Sequence, residues 1–215
     1  MKYKLVIFDC DGVVADSEPI STRLFTDMVN ELGLNLLYEE SGKLFTGRSD
    51  KDCKEIVETR LGSPMPAEFI DDFNSRLLVL LETGLTAVKN VEKVLDLLQG
   101  TTPICVASNA PRNKVKGSLR ITELGSYFND NIFTVDDVKR GKPFPDLYLL
   151  AAEKMGIHPH ECAVIEDSVY GARAGIAAGM TVFGYAERSD EVLLKNEGAV
   201  VFNDMLDLPE LLLNL

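Results

Sequence analysis

Short, continuous apolar runs alternate with helical patterns over most of the chain. Runs of four or five apolar residues are typical of strands buried on both faces of a parallel sheet. The runs are Lys4–Phe8, Pro103–Ala107, Cys162–Ile165, Thr181–Tyr185 and Ala199–Phe202. Apolar residues at helical spacing predict helices over Val88–Leu98, Pro111–Leu124, Asp146–Met155 and Ser168–Ala178. This alternation predicts an α/β fold, a doubly wound, Rossmann-like parallel sheet with helices on both faces.

The segment of residues 17–86 has a different pattern, with no convincing strand. It predicts one helix over Ile20–Leu32, a second that begins at Asp50, and a third from Phe69 to a stop near Gly84. A compact helical insert within the α/β core fits this pattern best. The sequence therefore predicts two domains, an α/β core of residues 1–16 and 87–215 and a helical cap of residues 17–86.

Composition and charge narrow the possible functions. The formal net charge of -12 argues against a nucleic-acid partner, which needs a basic face. No apolar run is long enough to cross a membrane and no secretory signal is visible, so we expect a cytoplasmic protein. An anionic substrate would need a local cation beside so acidic a chain, which is a first indication of a metal. The scattered cysteines predict small core residues rather than a disulfide or zinc framework: Cys10, Cys53, Cys105 and Cys162.

The strongest chemical signal is the pair Asp9 and Asp11 at the tip of the first strand, followed by Gly12. Side chains two residues apart on a strand point to the same face, so the two carboxylates would lie close together. Carboxylates this close raise a pKa or attract a cation. They could supply an ionised nucleophile, a protonated general acid and a Mg²⁺ site. The alternative for this motif alone is an aspartate pair that only ends a strand in a turn.

Three further motifs follow later strands or their connections. Ser108 and Asn109 suit a phosphate oxygen, although they equally suit a plain helix N-cap. Lys142 lies in a proline-stiffened loop and could contact a phosphoryl group, or it could be a solvated surface lysine. Glu166 and Asp167 offer hard oxygen ligands for Mg²⁺, or they could favour a helix N-terminus. Each motif is ambiguous alone, but the ordered set predicts one phosphate site.

The four motifs, in this order, resemble those of the haloacid dehalogenase-like hydrolase superfamily, in its capped phosphatase and phosphomutase branch. The resemblance covers essentially the whole chain. It implies that Asp9 is the nucleophile and that Asp11 protonates the leaving group and then activates water. It also implies a phosphoryl group held by Ser108 and Lys142, with Asn109 as a further phosphate-binding candidate. The Mg²⁺ ligands that it implies are Asp9, the backbone carbonyl of Asp11, Glu166 and Asp167.

Two stretches look most like bacterial sugar-phosphate phosphatases, including the 6-phosphogluconate type: Ser108–Lys114 and Glu166–Ala172. We therefore expect a Mg²⁺-dependent phosphatase that acts through an aspartyl-phosphate. Its partner would be a small phosphorylated metabolite, a sugar phosphate or a phosphorylated sugar acid, and the protein would be a monomer or a weak homo-oligomer. Lys43 and Arg48, in a cap loop, could contact the substrate or simply be solvated.

Two other functions remain open. A phosphomutase similar to β-phosphoglucomutase would share the core chemistry, but the His and Arg usual in that group are replaced here by Ser21 and Asp50, with Arg48 near the second place. A dehalogenase or phosphonate hydrolase is less consistent, because those relatives lack a carboxylate at the place of Asp11. A non-catalytic phosphometabolite-binding protein would be expected to lose a reacting group. The reacting groups are all present here: Asp9, Asp11, Ser108, Lys142 and Asp167.

Overall fold

The computed structural model describes residues 2–45 and 50–214 of the chain. These residues divide into two compact units, one formed by Met1–Asp16 and Thr86–Leu215 and the other by Ser17–Leu85. The chain leaves the first unit after Asp16 and re-enters it at Thr86, where the Asp16 N–H donates to the Thr86 carbonyl at 2.9 Å. The second unit is therefore an insertion that begins and ends at one place in the first.

The first unit contains six strands, and every one pairs in parallel with its neighbours. They are β1 (Leu5–Phe8), β2 (Ile104–Ser108), β3 (Ile132–Thr134), β4 (Cys162–Glu166), β5 (Thr181–Tyr185) and β6 (Val200–Phe202). Their order in the sheet is β3-β2-β1-β4-β5-β6. Strands β1, β2 and β4 are buried along their whole length, as continuous apolar runs require.

Eleven α-helices are present among the described residues. In chain order they are α1 (Glu18–Glu31), α2 (Tyr38–Phe45), α3 (Asp50–Leu61), α4 (Phe69–Gly84), α5 (Val91–Leu98), α6 (Arg112–Ile121), α7 (Gly125–Phe128), α8 (Asp146–Met155), α9 (Val169–Ala177), α10 (Glu191–Asn196) and α11 (Leu208–Asn214). The first four lie in the inserted unit, and the other seven follow it. The α/β, doubly wound fold class predicted from the sequence is confirmed.

The strand order locates the edge of the sheet where a ligand site is expected. From β1 the chain builds outward through β2 and β3, and it then crosses back to place β4 on the other side of β1. Right-handed crossovers in opposite directions put the connecting helices on opposite faces of the sheet. The carboxyl ends of β1 and β4, where the chain changes direction across the sheet, are where ligands bind in folds of this kind.

A separate apolar core supports the inserted unit. The ring of Phe25 on α1 meets the rings of Phe45, Phe69 and Phe73 edge to face, with centroids 4.9, 5.8 and 5.4 Å away. Each such contact adds to the burial of a large apolar side chain. A buried hydrogen bond of 2.6 Å between the Thr26 and Ser41 hydroxyls joins α1 to α2.

Some elements differ from the sequence-based expectation. Strand β3 was not predicted, because three residues are too few to show a period. Four helices were also missed, since their short patterns are interrupted by glycine or end within two turns: α2, α7, α10 and α11. Helix α6 ends at Ile121 rather than Leu124. Among the described residues, no helix is both long and apolar enough to cross a membrane.

Candidate active site

Three carboxylates converge at the carboxyl ends of β1 and β4. Asp9 follows β1 directly, Glu166 is the last residue of β4, and Asp167 comes next. Ligand oxygens of the three lie within 4.8 Å of one another, and all three residues are buried. Strand pairing creates this convergence, because β1 and β4 are neighbours and the Asp9 N–H donates to the Ile165 carbonyl at 2.9 Å. Hard oxygen ligands so close together are suited to a divalent cation such as Mg²⁺.

Lys142 lies between two of these carboxylates. Its Nζ is 2.6 Å from Oδ1 of Asp9 and 2.6 Å from Oε1 of Glu166. The same ammonium lies 4.9 Å from the centroid of the Tyr148 ring, within the range of a cation–π contact. The lysine is buried, so the solvated surface lysine considered above does not describe it.

Glu166 is held on both of its oxygens. Oε1 accepts from Lys142 and from the Tyr148 hydroxyl, at 2.6 and 3.0 Å. Oε2 accepts from the Ser168 backbone N–H and hydroxyl, at 2.8 and 2.9 Å. Helix α9 approaches so closely that a Cβ on Gly171 would lie 1.7 Å from Oε1. Glu166 is therefore fixed in one orientation and in turn fixes the lysine.

Burial and neighbouring charges shift the acidities of this cluster. Burial is the largest cause of a rise in the pKa of Asp9 to about 7; Lys142 opposes the rise and Glu166 adds to it. Burial alone would lower the pKa of Lys142, but Asp9 and Glu166 outweigh it and hold that pKa well above its ordinary value of 10.5. The lysine is thus a permanent cation, and an additional cation beside Asp9 would favour the ionised carboxylate.

The turn after β1 brings the backbone close to Asp167. Gly12 has a φ of +78°, which favours glycine, and a Cβ there would lie 2.1 Å from Oδ2 of Asp167. The Gly12 N–H donates to the Ala15 carbonyl at 2.8 Å and tightens the turn. Oδ2 of Asp11 accepts a 3.0 Å hydrogen bond from Nζ of Lys114 on α6. Asp11 thus has a cationic neighbour of its own, distinct from Lys142.

Ser108 and Asn109 lie at the end of β2, next to β1. Ser108 is buried, and its hydroxyl oxygen accepts from the Ala110 backbone N–H at 3.1 Å. The side chain of Asn109 makes both of its hydrogen bonds to the backbone of Lys142. Neither Ser108 nor Asn109 is the N-cap of α6, because that position is Pro111, with no side-chain hydrogen bond at the cap.

The structure brings together most, but not all, of the residues singled out in the sequence. Asp9, Lys142, Glu166 and Asp167 form the cluster described above, and the first motif adds Asp11 beside it. Ser108 and Asn109 end the neighbouring strand. Lys43 lies exposed on helix α2 of the inserted unit, so its predicted place in a loop was wrong, and Arg48 falls outside the described residues.

Sequence reasoning missed two residues of this site, Lys114 and Tyr148. Tyr148 lies on the buried side of α8 and has the spacing of an ordinary core aromatic. Lys114 lies in a charged stretch of α6 in which Lys116 and Arg120 are equally prominent. Only the three-dimensional contact with Asp11 distinguishes it. Burial alone would lower the pKa of Lys114, but Asp11 outweighs it and raises that pKa above its ordinary value.

Comparison with known proteins gives a consistent set of relatives. The family model for haloacid dehalogenase-like hydrolases matches residues 3–179. The 6-phosphogluconate phosphatase of Escherichia coli is 33% identical over 98% of this chain and 95% of its own length. A haloacid dehalogenase-like protein of unknown function from Agrobacterium tumefaciens superposes with a TM-score of 0.91 at 32% identity, over 98% of both chains. A hydrolase of the same family from Deinococcus radiodurans, solved with bound phosphate and sodium, superposes with a TM-score of 0.84 at 32% identity, over 98% of this chain and 95% of its own chain.

Proposed function

We propose that this chain, which belongs to the haloacid dehalogenase-like hydrolases and is a phosphoric monoester hydrolase of that family, is a Mg²⁺-dependent phosphatase for a small phosphorylated metabolite. Its reaction passes through a phosphorylated Asp9. One observation carries the proposal: the Lys142 ammonium lies 2.6 Å from Asp9, inside a buried group of three carboxylates. A nucleophile, a fixed cation and a set of metal ligands are thus present in one place.

Asp9 is the nucleophile in this proposal. A carboxylate oxygen of Asp9 attacks phosphorus, a new O–P bond forms, and the bond from phosphorus to the ester oxygen breaks. An anionic attacker and an anionic phosphoryl group repel each other, so the attack needs positive charge close by. Lys142 supplies one such charge at a fixed place, and the Ser108 hydroxyl and nearby backbone amides would orient the phosphoryl oxygens.

Asp11 is the general acid and base in this proposal. Its proton goes to the departing ester oxygen, a contribution of roughly 10²- to 10⁴-fold in rate. The same carboxylate, now ionised, takes a proton from the water that attacks the phosphorus of phosphorylated Asp9. Free phosphate leaves and Asp9 is regenerated. The contact with Lys114 at 3.0 Å fixes where the Asp11 carboxylate rests between turnovers.

The three carboxylates fit a divalent cation. Asp9, Asp167 and the backbone carbonyl of Asp11 would hold it, with Glu166 as a further candidate whose oxygens already accept hydrogen bonds from protein groups. When bound, Mg²⁺ would offset charge on the phosphoryl oxygens and on the attacking carboxylate. Glu166 keeps the lysine beside the nucleophile whether or not it touches the ion.

The substrate is proposed to be a sugar phosphate or a phosphorylated sugar acid. The relative from Escherichia coli that is 33% identical over nearly the whole chain is named for 6-phosphogluconate, which supports this class. Lys43 and Arg48 stay candidates for contact with the non-phosphate end of the substrate. A cytoplasmic location and a monomeric or weakly associating state also stay predictions of the sequence.

Phosphate release measured with and without metal tests the proposal. Purified protein should release phosphate from p-nitrophenyl phosphate with Mg²⁺ and lose that activity in excess chelator, because the carboxylates then repel the substrate. Asp167→Asn should raise the Mg²⁺ concentration for half-maximal rate by roughly tenfold or more.

A panel of sugar phosphates, sugar-acid phosphates and nucleotides tests the substrate class, and phosphate release should be fastest from the first two classes. No turnover of any ester would favour a non-catalytic binding protein, and an isomerised product without free phosphate would favour a phosphomutase.

A further inference from the structure

The side chain of Asn109 bonds to the loop that carries Lys142, here called the lysine loop (Arg140–Asp146). Nδ2 of Asn109 donates to the Lys142 carbonyl oxygen at 3.0 Å, and Oδ1 accepts from the Lys142 backbone N–H at 2.8 Å. Donor and acceptor of one planar carboxamide are thus both directed to one residue. Such a two-point contact fixes the orientation of the Lys142 backbone as well as its distance, as a pair of bonds between adjacent strands does.

The neighbouring residue leaves room for this contact. A Cβ built on Gly141 would lie 2.5 Å from Oδ1 of Asn109 and 3.2 Å from its Cγ. Real side chains do not approach that closely, so any larger residue at position 141 would displace the carboxamide or the loop. A separate contact joins the two ends of the lysine loop: Arg140 pairs with Asp146 and lies 4.5 Å from the centre of the Phe144 ring.

The contact has a consequence for the site because of where Asn109 lies. It directly follows Ser108, the last residue of β2. A lysine ammonium sits on a flexible four-carbon stem, so its position is fixed only if its backbone is fixed. Through Asn109, the backbone of Lys142 is tied to the same strand end that presents the Ser108 hydroxyl, and the two groups are placed as one unit.

We propose that Asn109 is a positioning residue, which ties the lysine loop to β2 and so sets the Lys142 ammonium beside Asp9, rather than a ligand of the phosphate. This inference rests on the proposed function, and it revises the sequence-based assignment of Asn109 to phosphate binding. The two hydrogen bonds that the carboxamide makes to Lys142 engage both of its polar atoms. A displacement of about 1 Å at a reacting centre costs roughly a hundredfold in rate, so loss of this tie should be felt in kcat.

Asn109→Ala tests the proposal, with Asn196→Ala as the control. Both asparagines are exposed, so both variants should fold, and Asn196 lies at the end of α10, away from the motifs. Asn109→Ala should lower kcat by roughly ten- to a hundredfold with little change in KM. The Lys142 backbone amide should also exchange its hydrogen at least about tenfold faster, because its acceptor is gone. The control should match the wild type in both measurements.

Two double variants separate positioning from direct phosphate binding. In a Lys142→Met background, Asn109→Ala should lower kcat no further, because there is no ammonium left to position. An undiminished loss in that background would overturn the proposal in favour of a direct phosphate contact. Gly141→Ala should lower kcat about as much as Asn109→Ala, whereas the combination should be little worse than Asn109→Ala alone, since the closest contact, with Oδ1 of Asn109, is then gone and only Cγ2 of Val135 remains at 3.2 Å. Additive losses would also overturn it.

The exchange measurement keeps this inference separate from the proposed function. If the wild-type protein releases phosphate from no ester, the proposed function fails. Lys142 amide exchange still decides whether Asn109 fixes the loop. If exchange at Lys142 is the same in Asn109→Ala and wild type, the tie does not hold the loop and the inference fails, whatever the activity.

Discussion

At the scale of single residues, the central feature is a lysine enclosed by carboxylates. Removing one partner of a buried ion pair typically costs about 3–5 kcal/mol, because the other charge is left without compensation. Lys142 has two such partners, Asp9 and Glu166, and Asp167 lies close to both. When all are ionised, three carboxylates and one ammonium leave two negative charges uncompensated. A divalent cation matches that excess, whereas a second lysine would compensate only one of the two charges.

Asp11 lies beside this cluster with Lys114 as its own cationic partner, and it gives a separate prediction. Asp11→Asn keeps the shape of the side chain but cannot exchange a proton. We expect it to lower the turnover of alkyl phosphates by roughly 10²- to 10⁴-fold, because an alkoxide needs a proton to leave. The first step with p-nitrophenyl phosphate needs no such proton, so release of p-nitrophenol in a single-turnover burst should be less affected. Stopped-flow measurement of that burst beside steady-state phosphate release from a sugar phosphate checks this expectation.

Equal losses for both esters would assign the acid to another residue. Lys116→Met is the control for Asp11→Asn. Lys116 lies on the same helix as Lys114, the partner of Asp11, but it is exposed. That variant should leave both rates unchanged.

At the scale of elements, the spacing between helix and sheet depends on particular small residues. Gly175 on α9 faces β5, and a Cβ there would lie 2.6 Å from Cγ2 of Val182, a buried strand residue with a stiff side chain. Gly117 in the interior of α6 has no heavy atom within 4 Å of such a Cβ. The same residue type therefore serves close packing in one helix and serves no visible purpose in the other.

This contrast predicts opposite effects of one substitution. Gly117→Ala should stabilise the fold by about 0.5–1 kcal/mol, because alanine loses less conformational freedom on folding. Gly175→Ala should destabilise it by about 1–3 kcal/mol, because α9 would have to move away from β5. Urea unfolding of the two variants and the wild type measures both changes in the free energy of unfolding. A stabilising Gly175→Ala would show that α9 does not pack on the sheet as closely as described.

The elements that could be predicted from sequence are those with a long or strongly repeated pattern. The runs that became β1, β2, β4 and β5 are buried on both faces and so are continuously apolar. In contrast, β3 is a three-residue strand whose identity depends on pairing with β2, a contact that is distant in sequence. Helix ends could be predicted only to within a few residues, because end residues fray and tertiary contacts decide where a helix stops.

The candidate site shows the same division between pattern and contact. Asp9, Asp11, Ser108, Lys142, Glu166 and Asp167 could be named from the sequence, because each follows a core strand or its connection and the strands meet at one edge. Tyr148 and Lys114 could not, because nothing local separates them from ordinary core and surface residues. The part that Asn109 plays was also hidden, since its partner lies 33 positions away in the chain.

At the scale of the whole molecule, charge and topology support one another. A chain with a formal net charge of -12 repels phosphate esters at a distance, so the substrate must be drawn to a local positive site. The crossing of the chain from β3 back to β4 gathers the carboxylates and the lysine loop at one sheet edge, where Lys142 and a cation held by the carboxylates would supply that positive charge. The α/β core thus contains every group that the proposed chemistry needs.

Trapping of the phosphorylated enzyme tests the central claim most directly. Protein mixed with p-nitrophenyl phosphate and Mg²⁺, quenched in acid within the first turnovers and digested, should carry one phosphoryl group on the peptide that contains Asp9. Asp9→Asn should carry none and should release phosphate at least about a thousandfold more slowly. Rapid phosphate release without a phosphorylated intermediate, or with the phosphoryl group on another residue, would contradict the account.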